Sequence, residues 1–524
     1  MFLWFCAILI LVYSIFLRRR KSSLPFPPGP PGLPVIGNAL DIPTTNIAQR
    51  LHDFATRYGK LVYFKVLGRS IIVLDSYDTA CEILDKRSRN YSDRPDSVMA
   101  NLTGFSDSNL PLISYGPRWR QHRRIFHQTL QLPTVDTFYR SNIRQVTREL
   151  LLNLLEGPQA FSRHINHAFV ASVLSIGYGI SIPRDDKYYG KLLHEALETL
   201  EAIVVPGKYP VEVIPALQYL PTWMPGARFK KDIGDVREKV LNARWELYDK
   251  AKSLLDSEYA GDTMIAMMLR RAATLEGAAA ADEEEQATGA LIGTYLAGSD
   301  TTVASVRAFF LAMAMYPDVQ KKAQAELDRV VGRTRLPGFE DRESLPYINA
   351  VLKELTRWNV VAPMGLPHAA LEDDEYNGYF IPKRTIVIAN VWSEERPVYA
   401  YGNTLTECIR AMSRDPVAYP DPETFNPDRF LKDGELYGGA LDPYSYIFGF
   451  GRRVCPGRHL ADASLFLTCA STLHAFSISP PLDGSGNPVK LEARVETDRV
   501  IAHPKEFECV VEPRWAGVAD LIRS

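Results

Sequence analysis

The stretch Phe448–Gly457, FGFGRRVCPG, constrains this chain more than any other. Its glycines let the backbone come close to something flat, and Cys455 is followed by Pro456, a favoured first helical residue. The spacing from there to about Phe476 predicts a helix whose positive end would face the sulfur. With Arg452 and Arg453 adjacent, that end is expected to hold Cys455 as thiolate, the form that binds metal. A lone cysteine before a helix is more often inert core. A merely buried thiol, however, needs neither the glycines nor the arginines, so we read Cys455 as a metal ligand.

The other cysteines, at 6, 81, 408, 469 and 509, show no C-x-x-C spacing, which argues against a zinc ribbon or a disulfide scaffold and for reduced thiols facing the cytosol. The 524 residues, 46% hydrophobic and 23% charged, can bury a large core. Sixty Lys and Arg against sixty-two Asp and Glu leave a formal charge of −2, so no basic field exists to gather nucleic acid, and no nucleic-acid partner is expected.

Met1 to Leu17 is uncharged and apolar and is followed at once by Arg18, Arg19, Arg20 and Lys21. Its length as a helix, about 25 Å, nearly spans a thin bilayer. A cleaved signal peptide would carry its charge before the apolar run, so 1–17 is read as a single-pass anchor of the endoplasmic reticulum membrane. The basic cluster then keeps the rest of the chain cytosolic, leaving the sequons at Asn90 and Asn101 unused. Residues 18–37 form a basic stop and a proline-rich hinge: Ser22 to Gly37 holds six prolines and three glycines in sixteen residues and reads as a stiff tether.

Residues 38–524 read as one catalytic domain, mainly α with small β-sheets. Leu61 to Val66 and Ser70 to Asp75 are β-rich runs suited to a hairpin around Leu67-Gly68-Arg69. From about 119 to 359 the spacing is helical, broken by the proline-rich apolar loop 205–226, read either as a membrane-facing frame for substrate entry or as a plain connector. Strand-like pieces return near 366–391 and 494–511. A long helix over Asp282–Met315 opens on Asp282, Glu283, Glu284 and Glu285, acids that complement a helix N-terminus. In its middle, AGSDTT, Gly298 removes a side chain where a small ligand would approach. Thr301 can turn its hydroxyl onto the Ala297 carbonyl and loosen the ladder into a kink. Glu354 and Arg357 share a helix face and can pair.

The cysteine stretch resembles the haem-binding signature of the cytochrome P-450 family, F-x-x-G-x-R-x-C-x-G: Phe448, Gly451, Arg453, Cys455 and Gly457 match every fixed position. The resemblance runs from the anchor to about 511 and is to fungal, microsomal, reductase-dependent members. It implies the cytochrome P-450 fold and haem b, with Cys455 as axial thiolate favouring O–O cleavage. Asp300 and Thr301 match the acid and alcohol that relay protons to dioxygen so that one of its atoms leaves as water. Trp119 and Arg123 match helix residues that contact a haem propionate, with His368 and Arg453 as further candidates. Glu354 and Arg357 match the E-x-x-R pair, with Arg429 as third member of a buried ionic network; their role is structural. Matching the family's pocket segments gives Phe105, Thr294, Ala297, Val361, Met364 and Ile501 as substrate contacts. Arg120, Arg124, Arg452 and Arg458 are candidates for meeting an acidic reductase.

The activity implied is a monooxygenase that takes electrons from NADPH through a separate cytochrome P-450 reductase, since the chain shows no nicotinamide or flavin fingerprint. It would place one oxygen atom from O2 into a lipophilic small molecule, in fungal secondary metabolism or xenobiotic oxidation. A haem-thiolate isomerase or dehydratase that does not use O2 is a second reading, against which Asp300-Thr301 argues. A non-catalytic haem-binding protein is a third. One departure stands out. The family runs from the Trp of TIVIANVW almost directly into the R-D-P segment, whereas here residues 393–410 intervene. We read these eighteen residues as an unspliced intron carried into the deduced sequence, with a genuine surface loop as the alternative.

Overall fold

The computed structural model describes residues 22–204, 208–255, 263–391, 412–496 and 500–524. The anchor 1–17, its basic stop 18–21 and the extra segment 393–410 lie outside the described residues. Among those described, no helix is long and apolar enough to cross a membrane. The described residues gather into two compact units that interleave in sequence: unit one holds 22–95, 364–391, 412 and 450–453, and unit two the other described residues.

Unit one is built on a four-stranded sheet in the order β1 (Leu61–Val66), β2 (Arg69–Leu74), β6 (Ile386–Ala389), β3 (His368–Ala369). The hairpin β1–β2 pairs Leu61 with Leu74 and Val66 with Arg69, so its loop is Leu67-Gly68 alone and Arg69 already belongs to the strand. Both loop residues have positive φ, 46° and 86°, the backbone that matches the twist of the flanking strands. β2 runs parallel to β6, and two short strands, β4 (Asp374–Tyr376) and β5 (Tyr379–Ile381), form a separate hairpin.

Leu61, Val62, Tyr63 and Phe64 are all buried, which requires cover on both faces of an alternating strand. Helix α1 (Ile47–Tyr58) covers one face with Leu51 and Ala55 against Val62, Phe64 and Val73. The proline-rich segment covers the other. Phe26 stacks on Tyr63 with ring centroids 4.9 Å apart, and the Tyr63 N–H donates to the Pro28 carbonyl at 2.8 Å. A Cβ on Gly29 would lie 1.9 Å from the Tyr63 carbonyl oxygen. The expected tether is therefore a docked layer of unit one from Pro25 onward, because prolines that cannot enter a sheet can still cap its apolar face.

Unit two is helical and shares one large core. Its principal helices are α2 (Pro117–Leu130), α3 (Arg140–Glu156), α4 (Phe161–Tyr178), α5 (Phe229–Leu254), α6 (Met264–Ala272), α7 (Gly277–Met315), α8 (Pro346–Trp358) and α9 (Arg458–Ala475). The 39-residue α7 packs on α4 and α9. It begins five residues earlier than the sequence indicates, so Asp282–Glu285 sit beyond its first turn. There they serve as ion-pair partners instead: Glu283 meets Arg271 at 2.7 Å and Glu284 meets Lys252 at 3.0 Å. Among the described residues of the expected strand region 494–511, only Val510 and Val511 lie in a strand, Val510–Pro513, which pairs with Phe476–Ser479. The loop 205–226, described from 208, folds into two short helical turns at Pro210–Val213 and Pro215–Tyr219.

Candidate active site

Cys455 precedes α9, which begins at Arg458 rather than at Pro456. Its N–H donates to the Phe448 carbonyl at 2.8 Å, closing the loop. The Gly457 N–H is directed at the sulfur, and the charges of Arg123 and Arg458 favour thiolate, yet burial outweighs all three and pushes the thiol up. The cations acting on Cys455 include Arg123 and Arg458, and within unit one Arg453 donates from Nε to the Ser92 carbonyl at 2.7 Å. Metal coordination would remove the thiol proton outright, supplying what the helix end and the cations do not.

The signature glycines divide their roles. A Cβ on Gly457 would stand 4.0 Å from Cys455 Sγ, so this glycine keeps space beside the sulfur. Gly451 instead has φ 54°, and a Cβ there would run to 2.4 Å of the Leu84 carbonyl oxygen, so it is demanded by a close backbone approach within unit one. Residues 454–462 all keep partial exposure, whereas Ala463–Ala475 are buried throughout.

On α2, Trp119 and Arg123 lie one turn apart. Trp119 is buried with Tyr115 beside it at 5.0 Å, and the Arg123 guanidinium donates to the Val454 carbonyl, next to Cys455. Within unit one, His368 is buried and its Nδ1 lies 2.7 Å from the Tyr91 carbonyl. Burial and the neighbouring Arg94 push its pKa down to about 3. Arg94, which the sequence reading missed, is the buried cation of this cluster, donating to the carbonyls of Leu366 and Pro367 at 2.7 and 2.6 Å. Its signal was Arg-Pro in YSDRP, a motif with no distinctive chemistry of its own.

In α7 the Thr301 hydroxyl donates to the Ala297 carbonyl at 2.8 Å. Ser299, Thr302 and Ser305 bond back in the same way, within a helix that runs from Gly277 to Met315. Ala297 is exposed and Thr301 partly so, although Leu296, Ser299 and Thr302 are buried, so accessible surface opens along one side of an otherwise enclosed helix. Gly298 is partly exposed as well, and a Cβ there would meet Val173 of α4 at 3.4 Å, an ordinary packing contact. Asp300 bonds to His503, Nε2 to Oδ2 at 3.1 Å, a partner that sequence spacing gave no means of finding.

Among the pocket candidates, Phe105 is part of the main core of unit two, Thr294 bonds back to the Ala290 carbonyl at 3.0 Å, and Val361 and Ile501 are half-buried. The Ala502 N–H donates to the Val361 carbonyl at 2.8 Å, which brings the last two segments together. Met364 belongs to unit one and packs against the β1–β2 core. Asn109 was missed. It is buried, its Oδ1 has no hydrogen-bond partner, and that oxygen lies 3.7 Å from where a Gly293 Cβ would be, one turn from Ala297.

The E-x-x-R pair is bidentate: Arg357 Nε and Nη2 each donate to Glu354 at 2.7 Å, both side chains fully buried. Arg429 Nε adds a bond to Glu354 at 3.2 Å, and Arg357 Nη1 reaches the carbonyls of Ser413 and Pro422, both at 2.8 Å. Arg414, another buried arginine not singled out from sequence, caps α8 through the Trp358 carbonyl at 2.8 Å. Of the candidate reductase-facing residues, Arg120 and Arg124 are exposed on α2, Arg458 is half-buried, and Arg452 lies in unit one.

A cysteine set among cations and a glycine, together with an acid–alcohol pair on a long helix, has the donor chemistry of a haem-thiolate oxygenase. The sequence profile of the family described as Cytochrome P450 matches residues 27–399 and 400–508. A cytochrome P450 monooxygenase named COX2 from Coprinopsis cinerea is 40% identical over 98% of this chain and 94% of its own length. A tryptamine 4-monooxygenase from Psilocybe cyanescens is 36% identical over 96% of this chain and 95% of its own. The cytochrome P450 monooxygenase claR from Ampulloclitocybe clavipes is likewise 36% identical, over 96% of this chain and 89% of its own. The chain belongs to the cytochrome P450 family, and it is a haem-thiolate monooxygenase.

Proposed function

We propose that Cys455 is the axial ligand of haem b, that Asp300 and Thr301 supply protons beside it, and that NADPH-derived electrons arrive through a separate reductase. The observation that carries this is the surroundings of the sulfur: a glycine N–H aimed at it, Arg123 and Arg458 acting on it, and no side chain at Gly457 to crowd it. When bound, haem supplies the activation of dioxygen, with thiolate as the electron-rich ligand. Trp119 and Arg123 present donors to its acidic groups, and within unit one Arg94 and Arg453 offer chemistry suited to the same kind of anion. Reconstituting the protein with reductase, NADPH and dioxygen and screening terpenoids, steroids, indoles and polycyclic aromatics tests the reading. The expected product is the substrate plus one oxygen atom, and turnover that ignores dioxygen contradicts it.

Thr301 spends its hydroxyl hydrogen on the Ala297 carbonyl, leaving its oxygen lone pairs to accept, while Asp300 can take up and release a proton. Thr301→Ala is expected to leave the haem spectrum unchanged and to divert reductant into hydrogen peroxide. Native stoichiometry of NADPH to peroxide in that variant would count against the relay. Phe105, Thr294, Ala297, Val361, Met364 and Ile501 are our candidates for substrate contact, and their apolar majority suits a lipophilic small molecule.

We place the chain in the endoplasmic reticulum membrane through residues 1–17, with the catalytic part cytosolic. Residues 393–410 we hold to be an unspliced intron. In support, the family profile matches in two pieces that meet at 399 and 400, inside this segment. Tryptic mass spectrometry of the native protein should find a peptide joining Trp392 to Ala411, and peptides from within 393–410 would defeat the idea.

A further inference from the structure

We propose that His503 is a positioning residue for proton delivery: by donating from Nε2 to Asp300 Oδ2 it fixes the carboxylate's orientation and leaves the other oxygen to exchange a proton. The inference deepens the reading of Asp300 and Thr301 as the proton relay and rests on it. Asp300 as a carboxylate only accepts, so the hydrogen of the 3.1 Å contact sits on His503 Nε2. His503 Nδ1 is buried with no hydrogen-bond partner, and no other side-chain bond of this residue is found among the described residues. This histidine directs its single side-chain bond at the acid.

The loop that carries His503 is itself held. The Glu496 N–H donates to the His503 carbonyl at 2.8 Å, the Lys505 N–H to the Arg494 carbonyl at 2.9 Å, and Ala502 is tied to Val361. The imidazole is therefore presented to Asp300 from a fixed backbone, next to Ile501, one of the substrate-contact candidates. The other charges around the pair are Arg307, two turns along α7, and Glu496 and Glu506, whose charges act on Arg307 together with that of Asp300. No ion pair between Arg307 and Asp300 is found among the described residues. An arginine fork on Asp300 would lock it as an anion, whereas an imidazole N–H orients it while leaving it able to take a proton and give it back.

The test uses full-length holoenzyme with reductase, NADPH and 7-ethoxycoumarin as a lipophilic probe, counting NADPH and dioxygen consumed and peroxide released. These ratios report whether dioxygen is fully reduced or released early, even if the probe is not converted. His503→Ala is expected to raise the peroxide share of consumed dioxygen roughly threefold or more at unchanged haem content and melting temperature. His503→Gln, whose amide can donate to the same oxygen, should return the share close to native. Native stoichiometry in His503→Ala, or equal uncoupling in the Ala and Gln variants, overturns the proposal. Asp300→Asn separates the two levels: if it uncouples while His503→Ala does not, the positioning role alone falls, and if it too is native, the relay reading falls and this proposal with it.

Discussion

Arg357→Ala is expected to yield no stable protein at 37 °C. Arg357 is fully buried, and its removal leaves the fully buried Glu354 with only the 3.2 Å bond from Arg429 and the Asn426 N–H at 2.8 Å. Breaking a buried ion pair from one side costs about 3 to 5 kcal/mol. The carbonyls of Ser413 and Pro422 lose their Arg357 donor as well, while Thr424 keeps Arg429 Nη2 at 3.2 Å, and each buried unpaired group adds about 1 to 3 kcal/mol. Folded domains hold about 5 to 15 kcal/mol in reserve, so the sum approaches the whole. Arg357→Lys keeps the charge but not the two-pronged geometry and should fall between. Circular dichroism melts of the three proteins decide it: an alanine variant that melts within a degree or two of native would show that the network is not what holds α8 in place.

Cys455→Ser is expected to fold like the native protein while NADPH-driven turnover falls to background. The side chain changes by a single atom at the start of α9, and the 2.8 Å bond from its backbone N–H to Phe448 is untouched. A serine hydroxyl is far less acidic than a thiol and is a poor soft donor, so neither Arg123 nor Arg458 can make it a substitute ligand. The check is a melt of both proteins beside NADPH consumption with reductase. A variant that turns over at a rate near native would remove Cys455 from the chemistry, and one that fails to fold would assign it to the scaffold instead.

What could be read without the structure was what lies close in sequence. The β1–β2 hairpin follows from two β-rich runs on either side of Leu67-Gly68-Arg69, the Thr301 bond to Ala297 from the rise of one helical turn, and the Glu354–Arg357 pair from a three-residue spacing. What could not be read depends on distant segments. Asp300 and His503 are 203 residues apart, and Arg94 meets carbonyls more than 270 residues away. A glycine shows the same limit in another form. Gly451 stands at a plausible ligand-facing position, but its missing side chain answers to the Leu84 carbonyl, a contact that no local pattern encodes. The proline-rich segment was misread as a spacer because its composition reports only what it cannot form, not the buried face of β1 that it covers.

The bond between Cys455 sulfur and iron is most directly tested by the absorption spectrum of the purified, dithionite-reduced protein under carbon monoxide, native beside Cys455→Ser. The expected result is the strongly red-shifted Soret band of a thiolate-ligated haem in the native protein and its loss in the variant. A native protein that folds but takes up no haem, or a red-shifted band that survives the substitution, would contradict the assignment.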